Sequence, residues 1–318
     1  MSSSFSQDNG RVADAPSGNF VYRVLPRWLW PYAQLARWDR PIGWQLLMLP
    51  CFWSAALAAN AAAPMQPVAG QLVWHLLLFF IGSVAMRGAG CTYNDIVDVD
   101  IDMAVARTRS RPLPSGRVTR RQAKIFLLLQ ALVGLLVLLA FNLFTIVLGI
   151  LSLAIVAVYP FAKRFTDWPQ FFLGLAFSWG ALVGWAAVFG SISLASILVY
   201  AAAVVWTIGY DTIYAHQDRE DDALIGVRST ARLFGDNTKL WLAGFFGAML
   251  LLLAVAYLMV GLAFPAWLGL LGAAVIFGWQ LRVLDINNPD QCLALFKQNF
   301  LVGVFVFAGL VMALPLAS

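Results

Sequence analysis

The sequence predicts an all-α membrane protein with about nine transmembrane helices, and three observations support this prediction. Apolar residues make up 61% of the chain and charged residues only 12%, whereas about a quarter of the residues in a soluble domain are charged. Apolar runs long enough to cross a bilayer, which takes ~20 residues, recur along nearly the whole length. The loops between these runs alternate between loops with Lys or Arg and loops with neither.

The N-terminal part of the chain precedes the first apolar run. Residues 1–19 are polar, and we expect them to be disordered. They lack the basic start, apolar core and cleavage site of a secretory signal. In residues 20–40, tryptophan and tyrosine alternate with arginine, which is typical of the membrane interface. We therefore expect an interfacial amphipathic segment over 20–40 and one polytopic domain over 41–318.

The apolar runs place the spans. A membrane barrel would show short alternating segments instead of these long runs. We expect transmembrane helices at about 42–60, 72–97, 119–140, 143–162, 168–187, 192–211, 238–260, 262–283 and 295–316. Because this number is odd, the two ends of the chain are expected on opposite sides of the membrane.

The basic residues predict the orientation. Lys and Arg occur before the first span and after the second, fourth, sixth and eighth spans. They are absent from 61–71, 141–143, 188–191 and 261–266. By the positive-inside rule, the N-terminus and the basic loops, with any site that lies beside those loops, are then cytoplasmic. We expect a bacterial plasma membrane rather than a mitochondrial inner membrane. The net charge of +5 is explained by these loops and by anionic membrane lipid, so no nucleic-acid partner is expected.

Cysteine and histidine give no metal site. Cys51, Cys91 and Cys292 are far apart and lie in or next to apolar runs, so they form neither a zinc spacing nor a disulfide framework. His75 and His216 are isolated from each other. Any metal site in this chain is therefore expected to use oxygen ligands.

An acidic stretch stands at the end of the second span. Asn94, Asp98 and Asp102 recur every four residues, which places them on one face of a helix. Like charges stacked this way repel each other, and hard divalent cations that prefer oxygen ligands would stabilise them. The alternative interpretation is a solvated acidic helix end.

A second acidic stretch follows the sixth span. Asp211, Asp218 and Asp222 are spaced by seven and four residues, again on one helix face. Both stretches end spans on the basic side, and in a bundle they can face each other across a central cavity. Two such motifs predict a pair of Mg²⁺ ions, because Mg²⁺ takes few carboxylates and completes its shell with water and phosphate oxygens.

Basic side chains near these motifs are candidates for binding a polyphosphate, although each also fits the positive-inside rule. They are Arg107, Arg109, Arg111, Lys163 and Arg164. Arg40 lies at the mouth of the first span, and Arg87 lies inside the second, where a charge must face protein or water. A diphosphate held by Mg²⁺ is a good leaving group. Its departure from an allylic carbon leaves a carbocation that aromatic faces stabilise.

These motifs resemble those of the UbiA-type intramembrane aromatic prenyltransferases. The family's first signature, Asn-Asp-x-x-Asp-x-x-x-Asp, is matched by Asn94, Asp95, Asp98 and Asp102, and its second, Asp-x-x-x-Asp, by Asp218 and Asp222. The resemblance covers about 37–316. Flanking words at 39–43, 87–91, 111–116, 159–164, 210–215 and 229–231 are similar to the ubiquinone-pathway branch that prenylates 4-hydroxybenzoate. One small departure is Glu220, in a stretch that is often richer in Asp.

The resemblance implies a helical bundle around a central pocket. It implies transfer of a polyprenyl group from polyprenyl diphosphate to the ring carbon ortho to the hydroxyl of 4-hydroxybenzoate. Asn94, Asp98 and Asp102 would hold one Mg²⁺, and Asp218 and Asp222 the other. Asp211 or Asp218 would take up the phenol or ring proton. The expected substrate-binding residues are Arg40, Arg87, Arg107, Arg111, Tyr159, Lys163, Arg164 and Tyr214, with Arg164 also a catalytic candidate.

Two groups of alternatives stay open. Within the family, the acceptor can instead be homogentisate, a naphthoate, haem or a chlorophyll precursor. A cation transporter would also use acidic side chains, but it binds its ion near mid-bilayer. The acidic residues of this chain lie at the ends of the spans, which favours the enzyme.

Overall fold

The computed structural model describes residues 10–13, 15–16, 18–63, 65, 68–104, 108–219, 226 and 228–315, without the side chains of Ala104 and Asp218. Every regular element within these ranges is a helix, and none of the described residues forms a strand. The all-α prediction is thereby confirmed.

The helices are numbered here in chain order. They are α1 (Phe20–Val24), α2 (Trp30–Leu35), α3 (Ile42–Ala62), α4 (Ala69–Val97), α5 (Val99–Ala104), α6 (Arg120–Leu138), α7 (Leu143–Val158), α8 (Ala162–Phe165), α9 (Pro169–Ser178), α10 (Gly180–Phe189), α11 (Leu194–Ala215), α12 (Thr230–Phe234), α13 (Thr238–Val260), α14 (Phe264–Val283) and α15 (Pro289–Met312). Single 3₁₀ turns lie at Arg27–Leu29, Tyr159–Phe161, His216–Asp218 and Gly235–Asn237.

Across the described part of the chain, nine helical stretches are long and apolar enough to cross a membrane. They are Ile42–Ala62, Ala69–Val97, Arg120–Leu138, Leu143–Phe165, Pro169–Phe189, Leu194–Ala215, Thr230–Val260, Phe264–Val283 and Pro289–Met312. Each corresponds to one predicted span, so the predicted number is confirmed. The largest difference is in the seventh, which begins at Thr230 because α12 continues through a 3₁₀ turn into α13.

The fourth span is not one uniform α-helix. α7 ends at Val158 and passes through the 3₁₀ turn Tyr159–Phe161 into α8. Pro160 lies in the middle of that turn. Proline has no N–H for the helical ladder, and its ring crowds the preceding turn, so a local change of helix type is expected there.

The chain divides into two compact units. Unit 1 comprises Met1–Trp44 and Gly82–Leu136, and unit 2 comprises Gln45–Ile81 and Val137–Ser318. The division predicted at residues 19 and 40 follows sequence character rather than packing, and it stays a prediction.

Unit 1 packs α2, α5 and α6 around a small apolar core. Its buried members are Leu35, Val99, Leu113, Val118 and Ala123. Tyr32 of α2 meets Phe126 of α6 edge-on, with ring centroids 5.2 Å apart. α4 and α6 approach closely where a Cβ on Gly88 would overlap the side-chain oxygen of Gln130. This core joins α5 and the residues Leu113 and Val118 to α2 and α6.

Gly10, within the segment predicted to be disordered, contacts the rest of unit 1. Its C=O accepts hydrogen bonds from Gln34 Nε2 at 2.8 Å and from Arg117 Nη1 at 2.6 Å. Residues 1–9 lie outside the described residues. Disorder of 1–19 as a whole therefore stays a prediction.

Unit 2 is built around α11, which packs against α9, α10, α13 and α15. Trp206 of α11 is fully buried, lies 4.8 Å from Trp53 between ring centroids, and donates from Nε1 to Asn299 Oδ1 at 2.9 Å. Tyr210 continues this aromatic column one turn later, 5.0 Å from Trp206. The column leads along α11 towards the second acidic stretch.

α14 and α15 of unit 2 cross with their backbones in contact. A Cβ placed on Gly269 would lie 2.9 Å from Gly309 Cα, and the reverse substitution would meet Gly269 Cα at the same distance. No other residue leaves enough space at this crossing, because every other side chain begins with a Cβ.

Candidate functional site

The first acidic motif begins as α4 ends. α4 stops at Val97, Asp98 forms a bend and α5 starts at Val99, so the helix predicted to run through this stretch is interrupted once. The hydrogen bonds of a helix nevertheless continue across the bend. The Asp98 N–H donates to Asn94 C=O at 2.9 Å, and the Asp102 N–H donates to Asp98 C=O at 2.8 Å. The predicted one-turn spacing of these three residues is therefore retained.

The carboxylates of this stretch differ sharply in burial. Asp98 is 1% exposed and Asp102 6% exposed, whereas Asp100 points outwards. Arg111 Nη1 lies 3.1 and 3.0 Å from the two oxygens of Asp102. Burial raises the pKa of Asp102 above its ordinary value, and the neighbouring Arg111 partly offsets this effect. Buried carboxylates are stable only beside a cation, so these side chains suit a site that binds positive charge.

The structure brings Arg37 into this cluster beside Asp95, a residue of the family signature to which the sequence gave no separate role. Asp95 is fully buried, and its Oδ1 lies 2.5 Å from Arg37 Nη2 and 3.5 Å from Arg111 Nη1. Arg37 and Asp95 are separated by 58 residues. No periodic pattern links residues so far apart, and Arg37 was counted only as one of several interfacial arginines.

Two further predicted residues, Arg40 and Arg87, lie in unit 1. Arg40 pairs with the buried Asp39, through Nε to Oδ1 at 3.2 Å and Nη2 to Oδ2 at 3.1 Å. Arg87 passes so close to the start of α3 that a Cβ on Gly43 would lie 2.6 Å from its Nε. A glycine at position 43 thus makes room for this guanidinium group.

The second acidic stretch begins at the end of α11. Asp211 and Tyr214 are half-buried on this helix, and the Tyr214 ring lies 4.6 Å from the Phe296 ring between centroids. The backbone of Asp218 ends the 3₁₀ turn after α11. Its side chain, together with Asp222 and Arg107, lies outside the described residues, so their predicted roles stay predictions.

Buried hydroxyl groups anchor both sides of this stretch in unit 2. Next to Asp211, Thr212 Oγ1 lies 2.7 Å from Thr230 Oγ1 of α12. His216 Nε2 lies 3.1 Å from Thr238 Oγ1. Burial, and secondarily Arg219, lowers the pKa of His216 to about 4, so its ring is neutral at neutral pH.

The remaining predicted residues follow α7. Tyr159 and Lys163 are half-buried, whereas Arg164 is exposed with its guanidinium 5.2 Å from the Phe161 ring centroid. The C=O of Lys163 also accepts a 3.4 Å hydrogen bond from the N–H of Arg228. Lys163 and Arg164 form the basic end of α8.

The donors of the first motif fit a hard cation. Asn94, Asp98 and Asp102 offer only oxygen ligands, which is the preference of Mg²⁺. Among the residues whose side chains are described, no three His, Cys, Asp or Glu side chains come together as a group. Mg²⁺ needs only one or two protein carboxylates when water and phosphate fill the shell. The meeting of the two acidic motifs stays a prediction from the sequence.

Comparison with protein families gives one family. The sequence model of the "UbiA prenyltransferase family" matches residues 47–310. This match includes both acidic motifs and all nine spans in whole or in part.

Two curated relatives carry the same name, "4-hydroxybenzoate polyprenyltransferase, mitochondrial". The one from Aedes aegypti is 49% identical over 283 residues, which cover 89% of this chain and 63% of the relative. The one from Homo sapiens is 46% identical over 296 residues, covering 92% of this chain and 77% of the relative. The chain thus spans somewhat less than two thirds of the mosquito protein's length.

Solved structures share the fold. A UbiA homologue from Aeropyrum pernix K1 matches with a TM-score of 0.68 and 25% identity, covering 84% of this chain and 97% of that one. A UbiA homologue from Archaeoglobus fulgidus bound to GPP and Mg²⁺ matches with a TM-score of 0.61 and 18% identity, covering 89% and 99%.

The predicted location in a bacterial plasma membrane is wrong. The curated relatives from insects, a plant and mammals are all named as mitochondrial proteins, and they indicate a mitochondrial membrane protein. The prediction failed because hydropathy and charge asymmetry follow the same rules in both kinds of membrane.

Proposed function

The chain belongs to the UbiA prenyltransferase family, and we propose that it transfers a polyprenyl group from polyprenyl diphosphate to 4-hydroxybenzoate in ubiquinone biosynthesis. The observation that carries this proposal is the likeness to named 4-hydroxybenzoate polyprenyltransferases, at 49% identity over 89% of the chain for the mosquito relative. In the reaction, the allylic carbon–oxygen bond of the donor breaks and a carbon–carbon bond forms ortho to the phenol hydroxyl. The ring carbon then loses its proton, and diphosphate is released.

We assign the metal to the acidic motifs. Asn94, Asp98 and Asp102 would hold one Mg²⁺, and Asp218 and Asp222 a second. The burial of Asp98 and Asp102 supports this assignment, because enclosed carboxylates gain most from a bound cation. When bound, Mg²⁺ neutralises the charge that develops on the departing diphosphate. The Archaeoglobus fulgidus homologue, described as bound to GPP and Mg²⁺, is consistent with this cofactor.

The basic side chains complete the substrate site in this proposal. Arg111 lies against Asp102, where its guanidinium can also pair with a diphosphate oxygen. Arg40 and Arg87 lie near the start of α3. Lys163 and Arg164 are the candidates on α8 for the diphosphate or for the benzoate carboxylate.

Aromatic and acidic groups on α11 would act on the acceptor. Tyr214 and Tyr159 are assigned to the walls of the substrate site, where aromatic faces stabilise a carbocation and exclude water. Asp211, half-buried on α11, or Asp218 would accept the proton lost from the ring or the phenol.

A panel of aromatic acceptors tests the proposal. The full chain in membranes is given one labelled polyprenyl diphosphate with 4-hydroxybenzoate, homogentisate or a naphthoate, with and without chelation of divalent cations. We expect prenylated 4-hydroxybenzoate only when Mg²⁺ is present, and recovery when Mg²⁺ is added back. Product from another acceptor alone would reassign the substrate. An unchanged rate after chelation would remove Mg²⁺ from the mechanism.

A further inference from the structure

We propose that Arg37 and Asp95 are positioning residues of the first acidic motif. In this view Asp95 does not bind the metal. It is held by Arg37 and in turn places Arg111, so that Arg111 and Asp102 keep the arrangement that receives Mg²⁺ and diphosphate. The inference rests on the proposed function and gives a role to a motif carboxylate that lies off the metal-binding face.

The helix geometry separates Asp95 from the other motif residues. Asn94, Asp98 and Asp102 follow one another at one-turn intervals, as their backbone hydrogen bonds show. Asp95 is one residue out of this series, and successive residues of a helix point about 100° apart. Its side chain is fully buried and meets two arginines on the same oxygen, Arg37 Nη2 at 2.5 Å and Arg111 Nη1 at 3.5 Å. Such an environment suits an anchor for guanidinium groups.

Arg37 is itself fixed by the backbone. It has a φ of +57°, and it is the one described non-glycine residue with a positive φ. This conformation is disfavoured for a residue with a Cβ, and it persists only where the surroundings require it. Arg37 Nη1 also donates to the C=O of Gln34 at the end of α2, at 2.7 Å. The guanidinium of Arg37 is therefore oriented by α2 before it meets Asp95.

Arg111 connects Asp95 to Asp102, the proposed metal ligand. Its Nη1 lies between Asp95 Oδ1 at 3.5 Å and Asp102 Oδ2 at 3.0 Å. The other oxygen of Asp95, Oδ2, is buried and has no hydrogen-bond partner among the described residues. A change at Asp95 or Arg37 is thereby transmitted through one side chain to Asp102.

The test separates positioning from simple support of the fold. Arg37→Met leaves the buried Asp95 with only the more distant Arg111, and Asp95→Leu removes the carboxylate beside the buried Arg37, so each should lower the unfolding temperature. The double variant R37M/D95L removes both charges and should recover most of the stability. The readout is the rise in unfolding temperature when Mg²⁺ is added together with inorganic diphosphate. If the pair positions Arg111, the double variant should need about tenfold more Mg²⁺ than the unmodified chain to reach half of this rise. A loss of that size is typical when groups behind metal ligands are removed.

A matched control lies on α5. Asp100 and Arg120 form an exposed pair at 3.6 Å, so D100L/R120M should leave the Mg²⁺ response unchanged. The positioning role would be overturned if the R37M/D95L variant regained its stability and was stabilised by the same Mg²⁺ concentrations as the unmodified chain. Should that variant fail to accumulate, Arg37→Lys decides: a stable protein with a weakened Mg²⁺ response supports the role, and an unchanged response overturns it. No stabilisation of the unmodified chain by Mg²⁺ with diphosphate would instead overturn the proposed metal site, and this inference with it.

Discussion

At the scale of single residues, the first acidic motif divides into enclosed and solvent-facing carboxylates. Asp98 is 1% exposed, whereas the side chain of Asp100, two residues later, is 80% exposed. Taking a carboxylate out of water is unfavourable unless a cation compensates it, whereas an exposed one keeps its hydration. The motif therefore allows a comparison between an enclosed carboxylate that we propose holds Mg²⁺ and a surface carboxylate.

We predict that Asp98→Asn lowers turnover at least about 100-fold, because a neutral amide loses the charge that would hold Mg²⁺. Asp100→Asn should keep turnover within about twofold, since its carboxylate is hydrated. Prenyl transfer is measured at saturating Mg²⁺ in membranes with equal amounts of each variant, determined by immunoblot. Full turnover of the Asp98 variant would exclude this residue from the site.

The sequence predicted part of this site and missed part of it for a physical reason. The sequence identifies Asn94, Asp98 and Asp102 by their four-residue period, because this period is a local property of one helix. Arg37 and Asp95 are brought together by the way the chain folds around α2 and α4. Neither composition nor residue spacing predicts this pair. A buried arginine near the start of a span looks the same in sequence as an interfacial one.

At the scale of helices, length and hydropathy were enough to find the nine spans in the described part of the chain, because crossing a bilayer requires ~20 apolar residues whatever the fold. The interruptions were harder to predict. The turn at Tyr159–Phe161 has a visible cause in Pro160. The bend at Asp98 interrupts a stretch whose hydrogen bonds continue, so the spacing alone could not reveal it.

Two glycines on α14 give a matched test of helix packing. Gly269→Ala should lower stability by about 1–3 kcal/mol, because the added methyl meets the α15 backbone at Gly309. Gly278→Ala, on the same helix with nothing within 4 Å, should be neutral or more stable by up to about 1 kcal/mol. Thermal unfolding in one detergent provides the comparison. Equal effects of the two substitutions would contradict the close crossing.

At the scale of the whole molecule, the distribution of Lys and Arg assigns loops to sides of the membrane. The loop before α14 has no basic residue, whereas Arg282 lies in the last turn of α14. A helix of 20 residues is about 30 Å long and reaches from one side of the hydrocarbon core to the other.

We predict that cysteines introduced as Ala263→Cys and Asn287→Cys, which flank α14, are modified from opposite sides of sealed vesicles by an impermeant maleimide. One should react at once, and the other only after the vesicles are permeabilised. The native cysteines are buried, so the unmodified chain is the control for background labelling. Reaction of both positions from the same side would show that α14 does not cross the membrane.

The contact between Gly269 and Gly309 also limits how a long isoprenoid tail can travel. Two helix backbones that touch leave no slot for a hydrocarbon chain, so the seam between α14 and α15 is closed at that depth. The polyprenyl donor of the proposed reaction would therefore have to enter between some other pair of helices.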